Sequence, residues 1–118
     1  YTNTSLSASY TTEERYRENT HMTQVLAQED TDIDPDSTVT TIESAYKKFL
    51  TDETTYTVAV YTVNEEALSG YDKDLETIRG MSKSKAKAVA EDGVMEKVGT
   101  ATIVLNTKTD EVLSYSMK

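Results

Sequence analysis

The sequence predicts an α+β domain in which a three- to four-stranded antiparallel sheet packs against two or more helices. Three observations lead to this prediction. Residues 54–63 are almost all β-branched or aromatic, residues 98–117 have the pattern of a hairpin, and residues 11–29 have apolar side chains at helical spacing. The 118 residues suffice for one domain, predicted over residues 11–118 and preceded by an extended arm, residues 1–10.

The composition is rich in hydroxyls and acids and poor in catalytic side chains. The chain has 20 Thr and 10 Ser residues, a single His, and no Cys or Trp. Its net charge of −9 disfavours binding to nucleic acids and to anionic membrane surfaces. No run of about 18 apolar residues is present to span a membrane, and without Cys there is no disulfide. These features favour a secreted, β-rich module over an enzyme.

The arm, residues 1–10, carries no charge and contains neither Gly nor Pro. Leu6, Ala8 and Tyr10 recur at the period of a β-strand, so they face one way if the arm is extended. An extended arm pairs either with its own sheet or with a neighbouring subunit, where alternate side chains fill pockets. For the second case, the sequence predicts self-association through the arm, with these three residues as subunit contacts.

The chain also has features of a protein that is exported. Asn3 begins an Asn-Thr-Ser sequon for N-linked glycosylation, and the abundant Thr and Ser residues offer positions for O-linked sugars. The sequence starts at Tyr1 and not at Met, which indicates either a processed product, from which any signal peptide is already removed, or an expressed fragment. We therefore expect an extracellular or cell-surface location.

Two helices are predicted before the first long strand. Thr11 and Glu14 have the spacing of a capping box at the start of a helix over residues 11–29. A second helix is predicted from residue 35 to about residue 50, with Asp34 as its N-cap. Its apolar residues recur at helical spacing: Val39, Ile42, Tyr46 and Phe49.

The second half of the chain alternates strands and helices. Residues 54–63 carry apolar side chains on both faces, which predicts a central strand covered on both sides. A short helix ended by Gly80 and a longer helix over residues 82–92, ended by Gly93, are predicted next. The longer helix has its lysines early and its acids late, against the helix dipole, so packing or an acidic partner must hold it.

Four alternating carboxylates precede the predicted second helix, in the manner of a calcium-binding loop: Asp30, Asp32, Asp34 and Asp36. A hard cation needs several oxygens that converge from one short turn. The segment departs from an EF-hand because Pro35 stands in place of Gly and Thr41 in place of the bidentate Glu. Calcium is the one cofactor that the sequence suggests, and a solvated acidic helix start is the alternative.

Candidates for catalysis are few. His21 is the only imidazole, and no nucleophile motif surrounds it. Carboxylate pairs for glycosidase chemistry can be drawn from five acids, but 21 acidic residues produce such pairs by chance. The five are Glu13, Glu14, Glu65, Glu66 and Asp74. The sequence thus predicts a protein that is not an enzyme.

An alanine-bearing helix over residues 82–90 is followed by a strand, a turn and a final strand over residues 106–113, Asn-Thr-Lys-Thr-Asp-Glu-Val-Leu. This pattern in residues 82–117 resembles the PepSY domain of secreted and envelope proteins, with Asp110 in place of the family's glycine. The resemblance implies an extracytoplasmic α+β module that binds or inhibits without catalysing. It transfers no functional residue to this chain.

Two functions from different classes follow from these observations. The first is a non-enzymatic structural subunit of an extracellular or cell-surface assembly, such as a fibre or a surface layer. It is suggested by the uncharged arm and by the abundance of Thr, Ser and Tyr. The second is a monomeric secreted binding or inhibitory module of the PepSY kind.

Overall fold

The computed structural model describes residues 3–5 and 10–118. The strands form one antiparallel sheet in the order β1-β2-β3-β4-β5. The α+β prediction is confirmed, since four long strands carry helices and a three-residue strand, β1, lies at the edge. In chain order the elements are β1 (Asn3–Ser5), α1 (Thr12–Glu29), β2 (Thr38–Lys48), β3 (Glu53–Val63), α2 (Glu65–Ser69), α3 (Leu75–Arg79), α4 (Lys83–Glu91), β4 (Met95–Asn106) and β5 (Glu111–Met117).

Each face of the sheet supports its own hydrophobic core. On one face, α1 packs on the sheet through Met22, Val25 and Leu26, which meet Tyr56, Val58 and Val60 of β3. On the opposite face, α3 and α4 contribute Ile78, Ala86 and Val89, which meet Ala59, Tyr61 and Val63. Because successive side chains of a strand point to opposite faces, β3 is covered on both sides, as predicted.

The helix predicted over residues 35–50 is wrong. Most of this segment is β2, which pairs antiparallel with β3 from Thr38 to Lys47. A β-bulge at Glu43 interrupts the register, so Ile42 and Ala45 both reach the α1 core although they are three residues apart. The four apolar residues with helical spacing do not share a face, since Val39 enters the opposite core and Tyr46 and Phe49 are exposed, while the many β-branched side chains of the segment favour a strand. Asp34 begins a turn rather than a helix, since its Oδ1 accepts a hydrogen bond from the Asp36 N–H at 3.0 Å.

A buried asparagine joins α1, the bulge in β2 and the segment that connects α3 to α4. The Asn19 side chain, 1% exposed, donates to the carbonyls of Arg79 at 2.9 Å and Met81 at 3.4 Å. Its Oδ1 accepts the Ile42 N–H beside the bulge at 3.0 Å. Its own carbonyl accepts the Thr40 hydroxyl at 2.6 Å. Because buried polar groups are costly unless they are paired, this satisfied side chain fixes the three elements relative to one another.

The remaining elements agree with the sequence except in one place. The capping box at Thr11 and Glu14 is present at the start of α1. The predicted short helix, the helix ended by Gly93 and the C-terminal hairpin are all present, and Gly93 has the positive φ of 82° expected at a helix end. Helix α2 was not predicted. Within residues 3–5 and 10–118, no helix is long and apolar enough to cross a membrane.

We predict that Asn19→Ala lowers the free energy of unfolding by about 3 kcal/mol, because it leaves several buried polar groups without partners. Chemical denaturation measures this change. The matched control is Asn64→Ala, which removes the exposed N-cap of α2 and should cost about 1 kcal/mol. Equal losses in the two variants would show that the Asn19 contacts do not organise the fold.

Candidate functional site

The turn between β2 and β3 forms an apolar and basic projection at one end of the sheet. Phe49 is 57% exposed and Leu50 is 86% exposed, directly after the exposed Lys47 and Lys48. Leu50 has a φ of 59°, a left-handed conformation that is unfavourable for a bulky side chain. We call residues 47–50 the hairpin tip. Strain and exposed apolar surface of this kind concentrate at binding sites.

The hairpin tip is braced from below. The Thr51 hydroxyl donates to the Lys48 carbonyl at 3.1 Å and accepts the Glu53 N–H at 3.2 Å. The backbone N–H and the hydroxyl of Thr107 both donate to the Asp52 carbonyl, at 2.8 and 2.9 Å, and so tie the tip to the β4–β5 turn. The tip is therefore held in place by hydrogen bonds to its own strands and to a neighbouring turn.

The acidic segment lies at the other end of β2. Residues 29–36 run from the end of α1 to the start of β2, and Ile33 packs against the α1 core. Arg79 holds the segment from the side, because its Nη2 donates to the carbonyls of Pro35 at 2.7 Å and Thr38 at 3.3 Å. Asp30 accepts the Asp32 N–H at 3.0 Å, which closes a local turn.

A pocket of about 350 Å³ opens beside this segment. We call it the acidic pocket, because Asp30, Asp32 and Asp34 contribute to its lining. Its apolar lining comes from four residues of the acidic segment and of three strands: Ile33, Val60, Val98 and Met117. The Val98 side chain is 57% exposed, which is unusual for an apolar residue of a central sheet strand. The acidic pocket thus combines apolar walls with carboxylates.

An uncharged surface covers the part of the sheet that α3 and α4 leave open. Its residues alternate with those that face α1 and lie opposite one another across the strands. One row consists of Ser44, Thr57, Thr102 and Ser116, and the next of Tyr46, Thr55, Val104 and Ser114. In a chain with 28% charged residues, two adjacent rows without charge mark a surface that another molecule can approach without electrostatic repulsion.

The four predicted calcium ligands are only partly brought together. Asp30, Asp32 and Asp34 line the acidic pocket, whereas Asp36 does not. Within residues 3–5 and 10–118, no three acidic or imidazole side chains lie close enough together to hold a metal ion. Asp30 and Asp34 each use an oxygen in a local turn. Calcium binding stays a prediction.

The arm lies against its own domain where the structure describes it. Asn3–Ser5 pairs with residues 46–48 at the edge of β2, so this part follows the intramolecular alternative. Tyr10 packs against the α1 core, and burial, together with Glu18, raises its pKa to about 12. Leu6 and Ala8, the other predicted contacts, lie outside the described residues. Glycosylation of Asn3 stays a prediction.

The catalytic candidates are distributed over α1, α2 and the start of α3. His21 lies on α1, and its Nε2 is 3.0 Å from Asp110 Oδ1, while no hydroxyl among the described residues bonds to the imidazole. Glu14 and Asp74 cap different helices, and hydrogen bonds from Thr11 and Thr77, respectively, lower the pKa of each carboxyl. Glu65 lies in the first turn of α2. The structure thus gives these acids positions at helix starts.

Sequence reasoning missed the hairpin tip and the apolar part of the acidic pocket. No protein-family model matches the chain, and no curated protein or solved structure matches it. The resemblance to PepSY domains therefore stays a prediction. The function has to be inferred from the geometry of the two ends of the sheet.

If the acidic segment binds calcium, the metal should raise the melting temperature, because a ligand that binds only the folded state stabilises it by mass action. The measurement is a thermal melt in millimolar calcium, with magnesium as the control ion. The shift should disappear in Asp32→Ala and persist in Asp72→Ala, an exposed acid elsewhere. No shift in the unmodified protein would exclude the site.

Proposed function

We propose that this protein is a non-enzymatic structural subunit of an extracellular or cell-surface assembly that grows head to tail. The hairpin tip of one copy enters the acidic pocket of the next. One observation carries the proposal: an apolar, basic projection and an apolar, acidic pocket lie at opposite ends of β2. A contact between two different surfaces leaves one of each free, so it repeats into a filament unless the rotation closes a ring.

Charge complementarity selects a second copy as the occupant of the pocket. Lys47 and Lys48 make no ion pair within residues 3–5 and 10–118. The pocket presents Asp30, Asp32 and Asp34, in a chain whose net charge of −9 otherwise disfavours association. Exposed ion pairs contribute only about 0–1 kcal/mol each, so the charges mainly orient the two copies and speed their encounter.

Apolar contact supplies most of the affinity in this arrangement. Phe49 and Leu50 are the side chains that the contact removes from water, and Ile33, Val98 and Met117 are their partners in the pocket. Full burial of one such side chain contributes about 1.5–3 kcal/mol, before the cost of association. A single contact is therefore weak. Stable assembly needs many copies, and the uncharged sheet surface offers a second, lateral contact.

Two alternatives have their own support. The arm can pair with the β2 edge of another copy in the register that it adopts in its own sheet, which is strand exchange. A monomeric secreted binding module, the PepSY-like alternative, is favoured by a separate cleft beside α4. Strand exchange pairs the arm with the backbone of residues 46–48 and needs neither the side chains of the hairpin tip nor the acidic pocket, so charge changes at these ends distinguish it from head-to-tail contact.

We predict that Lys47→Glu/Lys48→Glu weakens association about tenfold, because it places two glutamates against the three aspartates of the pocket. Asp30→Lys/Asp32→Lys should weaken it similarly, and an equimolar mixture of the two variants should associate again. Sedimentation velocity over a concentration series measures these changes.

The matched control is Lys85→Glu/Lys87→Glu on α4, which changes the net charge equally but leaves both ends intact. Association should persist in this control. A mixture that fails to associate, or a control that weakens as much as the tip variant, would contradict head-to-tail contact. Association that survives every reversal would instead favour strand exchange through the arm.

A further inference from the structure

We propose that the cleft between α4 and the sheet binds a short zwitterionic ligand, whose anionic and cationic groups lie about 12 Å apart. The cleft has a volume of about 510 Å³. Tyr61 and Met95, which line it, belong to the core on the face opposite α1, whereas Ile33 and Met117 of the acidic pocket pack on the α1 core. The cleft is thus separate from the assembly contact, and neither proposal depends on the other.

A largely buried tyrosine, Tyr61, opens on the cleft through its hydroxyl. Tyr61 is only 5% exposed, yet it lines the cleft and its hydroxyl has no hydrogen-bond partner among the described residues. Burial, followed by the nearby Glu43 carboxylate, raises the pKa of this hydroxyl, so it stays protonated at neutral pH. Because this hydroxyl is accessible from the cleft, it can donate a hydrogen bond to an acceptor group of a ligand there.

The charges along the cleft are separated by sign. Lys83 and Lys87 lie one turn apart on α4 and make no ion pair within the described part of the chain. Lys97 Nζ lies 3.9 Å from Glu43 Oε2, which balances those two charges. What remains is a positive end at the start of α4 and a negative end formed by Glu91, the last residue of the helix, and by Glu96.

The helix dipole adds to this separation. The lysines stand at the positive end of the dipole and Glu91 at the negative end, which is the unfavourable order for an isolated helix. The start of α4 is also the one helix start, among those described, without a side-chain cap, since Ser82 makes no such bond. A ligand with its anionic group near Lys83 and its cationic group near Glu91 compensates for the unfavourable order of charges and for the missing cap.

The size of the ligand follows from the helix. Lys83 and Glu91 are eight residues apart, which corresponds to about 12 Å along the axis. An extended peptide of four residues spans about 13 Å, and its apolar middle would lie over Ala90 and Met95. Tetra-alanine with free termini is therefore a suitable probe.

Isothermal titration calorimetry should compare four forms of tetra-alanine: both termini free, N-acetylated, C-amidated and doubly capped. The free peptide should bind tightest, and each cap should weaken binding about fivefold, because each removes one charge-assisted contact. Equal affinity of the free and the N-acetylated peptide would show that the site recognises only the anionic group, and would overturn the proposal. Equal affinity of all four forms, or no binding at millimolar concentration, would also overturn it.

Three variants locate the site. Lys87→Gln and Tyr61→Phe should each weaken the free peptide at least about fivefold while leaving the circular dichroism spectrum unchanged. Lys85→Gln makes the same charge change on α4, but Lys85 does not line the cleft. This variant should therefore bind the free peptide as tightly as the unmodified protein does. If Lys85→Gln weakens binding as much as Lys87→Gln, the peptide responds to overall charge and the cleft is not its site.

Discussion

The relative positions of the helices and the sheet depend on the hydrogen bonds of Asn19. They join α1 to the bulge in β2 and to the chain just before α4, and all three elements meet at a side chain that is 1% exposed. The bulge decides which residues of β2 face which core. It directs Ile42 and Ala45 toward α1 and leaves Glu43 in the lining of the α4 cleft. One buried amide therefore positions both the core and part of a candidate binding surface.

The distribution of charge, more than its total, suggests how the protein is used. A chain with a net charge of −9 keeps copies apart in most orientations. The two ends of β2 are an exception, because basic side chains precede an exposed Phe-Leu pair at one end and carboxylates surround apolar walls at the other. In the proposed assembly, repulsion between the other surfaces disfavours every orientation except the one that brings opposite ends together.

Much of the fold follows from local signals in the sequence. The capping box at Thr11, the β-branched run of β3 and Gly93 after α4 each have a local physical reason that tertiary packing does not oppose. The helix prediction for β2 depends on the spacing of Val39, Ile42, Tyr46 and Phe49, but in the strand Val39 and Ile42 enter opposite cores and the two aromatic side chains are exposed. Asn19 lies among the apolar side chains of α1 that face the core. A polar residue at such a position is the signal in the sequence that could have indicated its structural role.

The candidate surfaces were harder to predict than the fold. The prediction placed Phe49 on the buried face of a helix, so its exposure at a hairpin tip was hidden by the error in β2. The aspartates were recognised as a cluster, but the apolar lining beside them comes from β3, β4 and β5, which are distant in sequence. Only the folded sheet brings Val60, Val98 and Met117 together.

The absence of cysteine permits a direct test of head-to-tail contact. Leu50→Cys and Val98→Cys place one thiol at the hairpin tip of one variant and one in the acidic pocket of the other. Under mild oxidation, a mixture of the two variants should form a disulfide-linked heterodimer faster than either variant forms a homodimer, because only unlike ends meet. Homodimers of Leu50→Cys that form as fast as the heterodimer, or a mixture that yields no heterodimer, would contradict the account.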